Sequence, residues 1–287
     1  MQIAFLGLGQ VGGSIARAAS TAGFATRITA WTPEGAGPRA ARADGIVATA
    51  SAGEAIRGAD LVVLAAPPLA CLGLLDELAG SLSIELAPDA VITDVASTKS
   101  AIVARARANH LRFVGGHPMA GRERAGYGAA EPDLLRDRPW VIVPADPADP
   151  AADARVAALA EACGAGPLAM TAAEHDAAVA AISHLPLVLS VALVEAMNSE
   201  PDWAAARELA AGGWAGMTRL ARGDATMGAG ILATNGPATA GRLRALRAVI
   251  DEWLLLLADG GADPDALTAR LSAARDLARA DEPGAPG

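Results

Sequence analysis

The segment Gly7-Leu8-Gly9-Gln10-Val11-Gly12 constrains the fold more than any other part of the sequence. It follows an apolar run at 3–6 and opens an amphipathic stretch at 11–22, so it reads as the tight connection between a strand and a helix. In that setting the first glycine permits the turn, the second lets a pyrophosphate approach the backbone, and the third lets helix and strand pack closely. The free N–H groups and positive dipole end of the helix then face the phosphates. The spacing predicts a βαβ unit with Gly7, Gly9, Gln10, Val11 and Gly12 holding a dinucleotide, against the plainer alternative of turn glycines.

Such sites carry a carboxylate for the adenosine ribose about 20 residues later, at the end of the second strand. Here the residues are Ala30-Trp31-Thr32-Pro33-Glu34. Thr32 takes the position, and a neutral hydroxyl removes the repulsion a carboxylate exerts on a 2′-phosphate. NADP is therefore allowed beside NAD, and slightly favoured. Arg39 or Arg42 could pair with that phosphate, and equally both read as solvated helix residues. Glu34 serves NAD if the strand ends later.

Alternation of short β-branched runs with Ala-rich amphipathic segments continues through the first half. Strands are expected at 3–6, 27–31, 61–65, 91–93, 112–114, 140–143 and 166–170, with helices at 11–22, 69–82, 99–109 and 151–163. Beyond about Thr171 only helical patterns follow, at 172–198, 203–222, 226–233 and 238–258. The expected fold is α/β: a Rossmann-type parallel-sheet domain at 1–170, an all-α domain at 171–280 and a loose tail at 281–287. There is no internal repeat.

With 287 residues, 52% of them hydrophobic, the chain has material for an ordinary core and is not a disordered polymer. Its net charge of -9 argues against nucleic acid as a partner. Two distant cysteines, Cys71 and Cys163, build neither a disulfide framework nor a thiolate metal cluster, which fits a reducing cytoplasm. The N-terminus lacks the basic region of a signal peptide. The apolar stretch 180–194 holds Ser183, His184 and Pro186 and is too short to span a bilayer, so a soluble protein is expected.

Two polar clusters fall at predicted carboxyl ends of strands, where open parallel sheets bind ligands. One is Asp94 to Lys99; the other is Gly115-Gly116-His117-Pro118-Met119-Ala120-Gly121. His117, flanked by glycines that let a ligand approach and biased to an extended loop by Pro118, is a candidate proton acceptor, against a structural loop histidine. Lys99, the only lysine, reads as a surface residue in the first turn of a helix. His184 reads equally as a buried, satisfied histidine or a pocket residue beside the kink at Pro186. His110 and His175 read as surface residues. Arg219, after a Gly-rich segment, has the fork that suits a carboxylate, although exposed helix residues are the commoner case for it and Arg222. No cluster has metal-ligand spacing.

Taken together, the loop at 7–12, TDVASTK at 93–99, GGHPMAG at 115–121, ISHLP at 182–186 and the Gly-rich segment ending in Thr218-Arg219 resemble the prephenate and arogenate dehydrogenases of tyrosine biosynthesis. The resemblance implies oxidative decarboxylation of a cyclohexadienol: hydride passes from ring C4 to the nicotinamide of NAD or NADP, and the ring carboxylate leaves as CO2. It implies that His117 takes the C4 hydroxyl proton, with Ser97 orienting that pair, that Arg219 holds a substrate carboxylate, that Ser183 and His184 line the pocket, and that Glu123 matches a position some members use at the mouth of the site. Asp94 joins Thr32 and the loop residues on the cofactor side. The helical domain would form a homodimer, as the apolar run Trp253-Leu254-Leu255-Leu256-Leu257 also suggests. Leu187 stands where many prephenate-specific members carry a second histidine, and Met227-Gly228-Ala229 where some have Trp-Arg. Leu187 resembles the apolar residue of arogenate dehydrogenases of cyanobacterial type, which prefer NADP, and together with Thr32 this tilts the expectation toward arogenate and NADP, with prephenate and NAD as the alternative. The rivals are a β-hydroxyacid dehydrogenase, which would need a lysine in the helical domain, and a non-catalytic NADPH-binding sensor.

Overall fold

The computed structural model describes residues 1–121, 124–258 and 263–280. Eight strands form its sheet: β1 (Gln2–Leu6), β2 (Arg27–Trp31), β3 (Val47–Ala48), β4 (Leu61–Leu64), β5 (Val91–Asp94), β6 (Phe113–Pro118), β7 (Pro139–Val143) and β8 (Gly166–Ala169), in the order β3-β2-β1-β4-β5-β6-β7-β8. All neighbours pair parallel except β6 with β7. Helices α1 (Gln10–Thr21), α2 (Ala36–Ala40), α3 (Ala52–Ile56), α4 (Pro68–Ala79), α5 (Ser100–Ala108) and α6 (Pro150–Ala162) connect the strands.

A parallel sheet covered on both faces needs apolar side chains on both, and the pleat of β1 shows how this is met. Ile3 and Phe5 belong to one buried cluster with Ile15 and Ala19 of α1 and Val156 and Leu159 of α6. Ala4 and Leu6 belong to the other, with Ile56 of α3, Leu75 and Leu78 of α4 and Ile102 of α5. Helix starts follow local chemistry: Ser51 accepts from Glu54 N at 3.1 Å, Asp149 from Ala152 N at 3.0 Å, and Pro68 and Pro150 sit in first turns, where no N–H is needed.

After β8 the chain is helical: α7 (Ala172–Val179), a π-turn (Ala180–His184), α8 (Leu185–Asn198), α9 (Trp203–Glu208), α10 (Gly212–Met217), α11 (Ala225–Thr234), α12 (Gly236–Leu257) and α13 (Pro264–Ala280). Thr171 and Glu174 form a reciprocal capping box that fixes where this region begins. The sheet ends at Ala169, but the first compact unit runs on to Thr239 and the second begins at Ala240, inside α12. Residues 171–239 pack with the sheet because polar groups tie them to it. Asp176 accepts from Lys99 N and Ser100 N, both at 2.8 Å, and the hydroxyls of Thr98 and Thr234 meet at 2.8 Å.

Several elements differ from the sequence expectations. β3 has two residues, too few to show a period, and neither α2 nor α3 was expected. The segment 172–198 is broken by the π-turn, since Pro186 lacks an N–H and crowds the carbonyl one turn earlier. The segment 203–222 divides at 209–211, ahead of Gly212-Gly213 in the first turn of α10, into α9, α10 and the turn Leu220–Arg222. The apolar stretch is also longer than expected: Ala172–Asn198 has 27 residues and holds an 18-residue window of mean hydropathy 2.2, enough by length and composition to cross a membrane. Several of its polar side chains, those of His175, Asp176, His184 and Ser190, are nonetheless engaged within the fold, as with Ser190 Oγ accepting from Ala221 N at 2.9 Å.

Candidate active site

Each glycine of the first loop has a separate physical cause. Gly7 has φ +101, and a Cβ there would lie 2.3 Å from the Ala65 carbonyl oxygen. At Gly12 a Cβ would fall 2.7 Å from Cβ of Ala65, so this glycine admits α1 against the end of β4. Gly9 has nothing within 4 Å of its Cβ position. It caps α1 without any side-chain bond, so no capping side chain stands over the start of the helix. Open space over a helix N-terminus suits a pyrophosphate, and Gly7, Gly9, Gln10, Val11 and Gly12 fit a bound dinucleotide.

β2 ends at Trp31, which places Thr32 directly after it and leaves Glu34 exposed on the following turn. Beside that turn is a cavity of about 290 Å³ lined by Gly35, Pro38, Arg39, Arg42, Ala48, Thr49 and Ala50. Arg39 is held there, donating from Nη2 to the Glu34 carbonyl at 2.8 Å. The arginines that read equally as solvated helix residues thus share one concavity at the carboxyl ends of β2 and β3.

Beneath β6 the structure corrects three expectations. Lys99 is not a surface residue: it is fully buried, with Nζ donating to the Asp94 carboxylate and, at 2.7 Å, to the Gly116 carbonyl. Asp94 offers no carboxylate to a cofactor, because its other bonds come from Ala96 N and Gly116 N, each at 3.0 Å. Gly115 and Gly116 serve this packing rather than the approach of a ligand. A Cβ at Gly116 would meet the Asp94 carbonyl oxygen at 2.5 Å, and one at Gly115 would meet Val143 at 3.1 Å.

His117 lies on β6, not in a loop, paired across the sheet with Val141. Its Nδ1 is 2.8 Å from Nε2 of His175, with the rings nearly perpendicular at 75°. His175 is buried rather than exposed, and its Nδ1 meets Asp176 Oδ1 at 2.9 Å. Asp176 is held down to about 2: burial opposes its ionisation, but bonds from His175 and from the start of α5 outweigh it. Burial of the His117 ring, with Lys99, His175 and His184 adding to the effect, holds its imidazole well below the usual range. A neutral imidazole with Nε2 making no hydrogen bond among the described residues can accept a proton.

His184 lies in the π-turn, fully buried, and Asn235 Nδ2 bridges it at 3.1 Å to the Asp176 carbonyl at 2.8 Å. Ser97 is partly exposed, whereas Ser183 is exposed and its hydroxyl makes no hydrogen bond among the described residues. Arg219 is exposed at the start of the turn Leu220–Arg222. Glu123 lies outside the described residues. Sequence reading missed Asn235 and misjudged His175. The available signal was position: His175, Asp176 and Val179 occupy the buried face of a helix whose start the capping box marks.

The fold and site define a dinucleotide-binding α/β protein with a histidine-centred cluster at the carboxyl ends of its strands. Residues 15–167 match the prephenate dehydrogenase nucleotide-binding domain, and residues 171–271 match the prephenate dehydrogenase dimerization domain. The chain belongs to the prephenate dehydrogenase family. It is 32% identical to prephenate dehydrogenase of Bacillus subtilis over 203 residues, 69% of this chain and 52% of that protein, so it spans about half the length of that relative. With cyclohexadienyl dehydrogenase of Zymomonas mobilis it shares 30% identity over 245 residues, covering 82% of this chain and 81% of the other. The crystal structure of Synechocystis arogenate dehydrogenase superposes with a TM-score of 0.78 at 29% identity, covering 97% of this chain and all of that one.

Proposed function

We propose that this protein oxidatively decarboxylates a cyclohexadienol, arogenate in preference to prephenate, yielding tyrosine or 4-hydroxyphenylpyruvate. The observation that carries the reading is His117: at the carboxyl end of β6, held neutral by burial, bonded at Nδ1 and with no hydrogen bond at Nε2 among the described residues. A nicotinamide dinucleotide bound at Gly7, Gly9, Gln10, Val11 and Gly12 supplies the hydride acceptor for the hydrogen on ring C4. His117 Nε2 takes the C4 hydroxyl proton, which raises electron density on that carbon. The bond from the ring to its carboxylate breaks, its electron pair enters the ring, CO2 leaves, and the phenolate oxygen recovers the proton from His117. No net proton is consumed. Arg219 would hold a carboxylate of the anionic substrate, which a chain of net charge -9 would otherwise repel. Ser97, Ser183, His184 and Glu123 keep the orienting and lining roles that the family resemblance gives them.

NADP is the proposed cofactor, with NAD the alternative. Thr32 carries no charge to repel a 2′-phosphate, and Arg39 and Arg42 line the adjoining cavity. Arogenate is favoured because Leu187 packs toward Gly228 of α11 and puts no second imidazole there. We place the enzyme in the cytoplasm, where its two free, buried cysteines stay reduced. It acts as a homodimer through the helical region, which covers apolar side chains such as Ile182, 67% exposed in the single chain. Steady-state rates of the purified protein with each substrate and each cofactor test the reading. Cofactor reduction coupled to CO2 release supports it, and cofactor binding without turnover of either substrate overturns it.

A further inference from the structure

We infer that His175 is a positioning residue that fixes the tautomer of His117, so that the proton-accepting nitrogen is Nε2. The inference rests on the proposed role of His117 as the base.

The hydrogen-bond directions follow from one fixed end. Lys99 N and Ser100 N donate at 2.8 Å, one to each oxygen of Asp176, and this carboxylate, held down to about 2 by its hydrogen bonds, is an acceptor only. The 2.9 Å bond between His175 Nδ1 and Asp176 Oδ1 must then carry its hydrogen on His175. With its ring hydrogen at Nδ1, His175 keeps a lone pair at Nε2, and the partner for it among the described residues, at 2.8 Å, is Nδ1–H of His117. With Nδ1 protonated, the lone pair of His117 is at Nε2. The edge-on packing of the rings, centroids 5.0 Å apart, suits an N–H in one ring plane aimed at a nitrogen of the other.

The chain also spreads the charge that forms. Once Nε2 takes a proton, the His117 imidazolium donates to His175, which is anchored to an anion in turn, as in the carboxylate-backed histidine of hydrolytic triads. His175 never touches substrate in this scheme.

The test uses the full-length protein with nitrogen-15 in its four histidines. Two-bond nitrogen–proton correlation spectra report which ring nitrogen of His117 carries hydrogen. The expected result is Nδ1–H in the wild type, a shift toward Nε2–H in His175→Leu, and retention in His175→Gln, whose Oε1 can accept from His117 while its amide donates to Asp176. In turnover, His175→Leu should lower kcat on the order of 10–100-fold with KM little changed, the usual effect of losing an orienting partner. His175→Gln should recover most of it. An Nε2–H tautomer in the wild type, or the same tautomer in His175→Leu, overturns the inference. If His175→Leu does not fold, the wild-type spectrum and the Gln variant still decide. Nδ1–H in a protein that turns over neither substrate would instead overturn the functional reading and leave the positioning role standing.

Discussion

Lys99 and Asp94 form an ion pair that exposes no side-chain surface to solvent, in the floor of the strand that carries His117. Two opposite charges out of water need further hydrogen bonds, and here the Gly116 carbonyl accepts from Lys99 while the N–H groups of Ala96 and Gly116 donate to Asp94. The pair joins β5 to β6 and holds the backbone of Gly116, next to His117.

Removing one partner strands the other charge. Lys99→Met should lower stability by about 3–5 kcal/mol, measured by urea denaturation, and the double change with Asp94→Asn should lose less than the single one. An effect under about 1 kcal/mol would mean that Asp94 has another counter-charge.

Cofactor choice turns on the cavity beside Thr32. Arg39→Ala or Arg42→Ala should raise the KM for NADP about 10-fold while leaving that for NAD unchanged, the scale of one lost charge-assisted bond. Thr32→Asp should shift the preference toward NAD. Equal effects on both cofactors would place the ribose elsewhere.

The loop glycines should separate binding from folding. Gly9→Val puts its side chain into open space over the helix terminus, so dinucleotide affinity should fall more than about 10-fold with Tm little altered. Gly12→Val meets Ala65 and should cost about 1–3 kcal/mol of stability. A Gly9 variant with normal affinity would remove the loop from the cofactor site.

The histidines set a pH dependence with a definite sign. His117 and His184 are held below the ordinary value of 6.5, chiefly by burial. A base must be unprotonated, so the acidic limb of kcat/KM belongs below that pH. Stability follows the same direction: it is fully present above the unfolded-chain value and declines as pH falls, because the unfolded chain binds protons that the folded one refuses. His184→Gln should reduce the fall in Tm on acidification, and a Tm that rises on acidification would contradict the account.

Most of the α/β half was legible because strands such as 27–31 and helices such as α1 carry their own period, and the loop between β1 and α1 has its own chemistry. The helical half was legible only in outline. Pro186 announced a break but not a π-turn, and the helix expected at 203–222 breaks at 209–211, where the composition looked continuous. At the site, position named His117, yet its partners could not be read. Lys99, Asp176 and His175 are charged or polar residues on short helical stretches, where the base expectation is solvent. Only the packing of α7 against the start of α5 brings them together, and that is a long-range event with no local period.

The central claim is that His117 accepts the ring hydroxyl proton as hydride leaves. Single-turnover reaction of His117→Asn with arogenate and NADP tests it most directly, followed by cofactor reduction and CO2 release. The account predicts a rate lower on the order of 10² to 10⁴ with cofactor affinity retained. A rate equal to that of the wild type would contradict it.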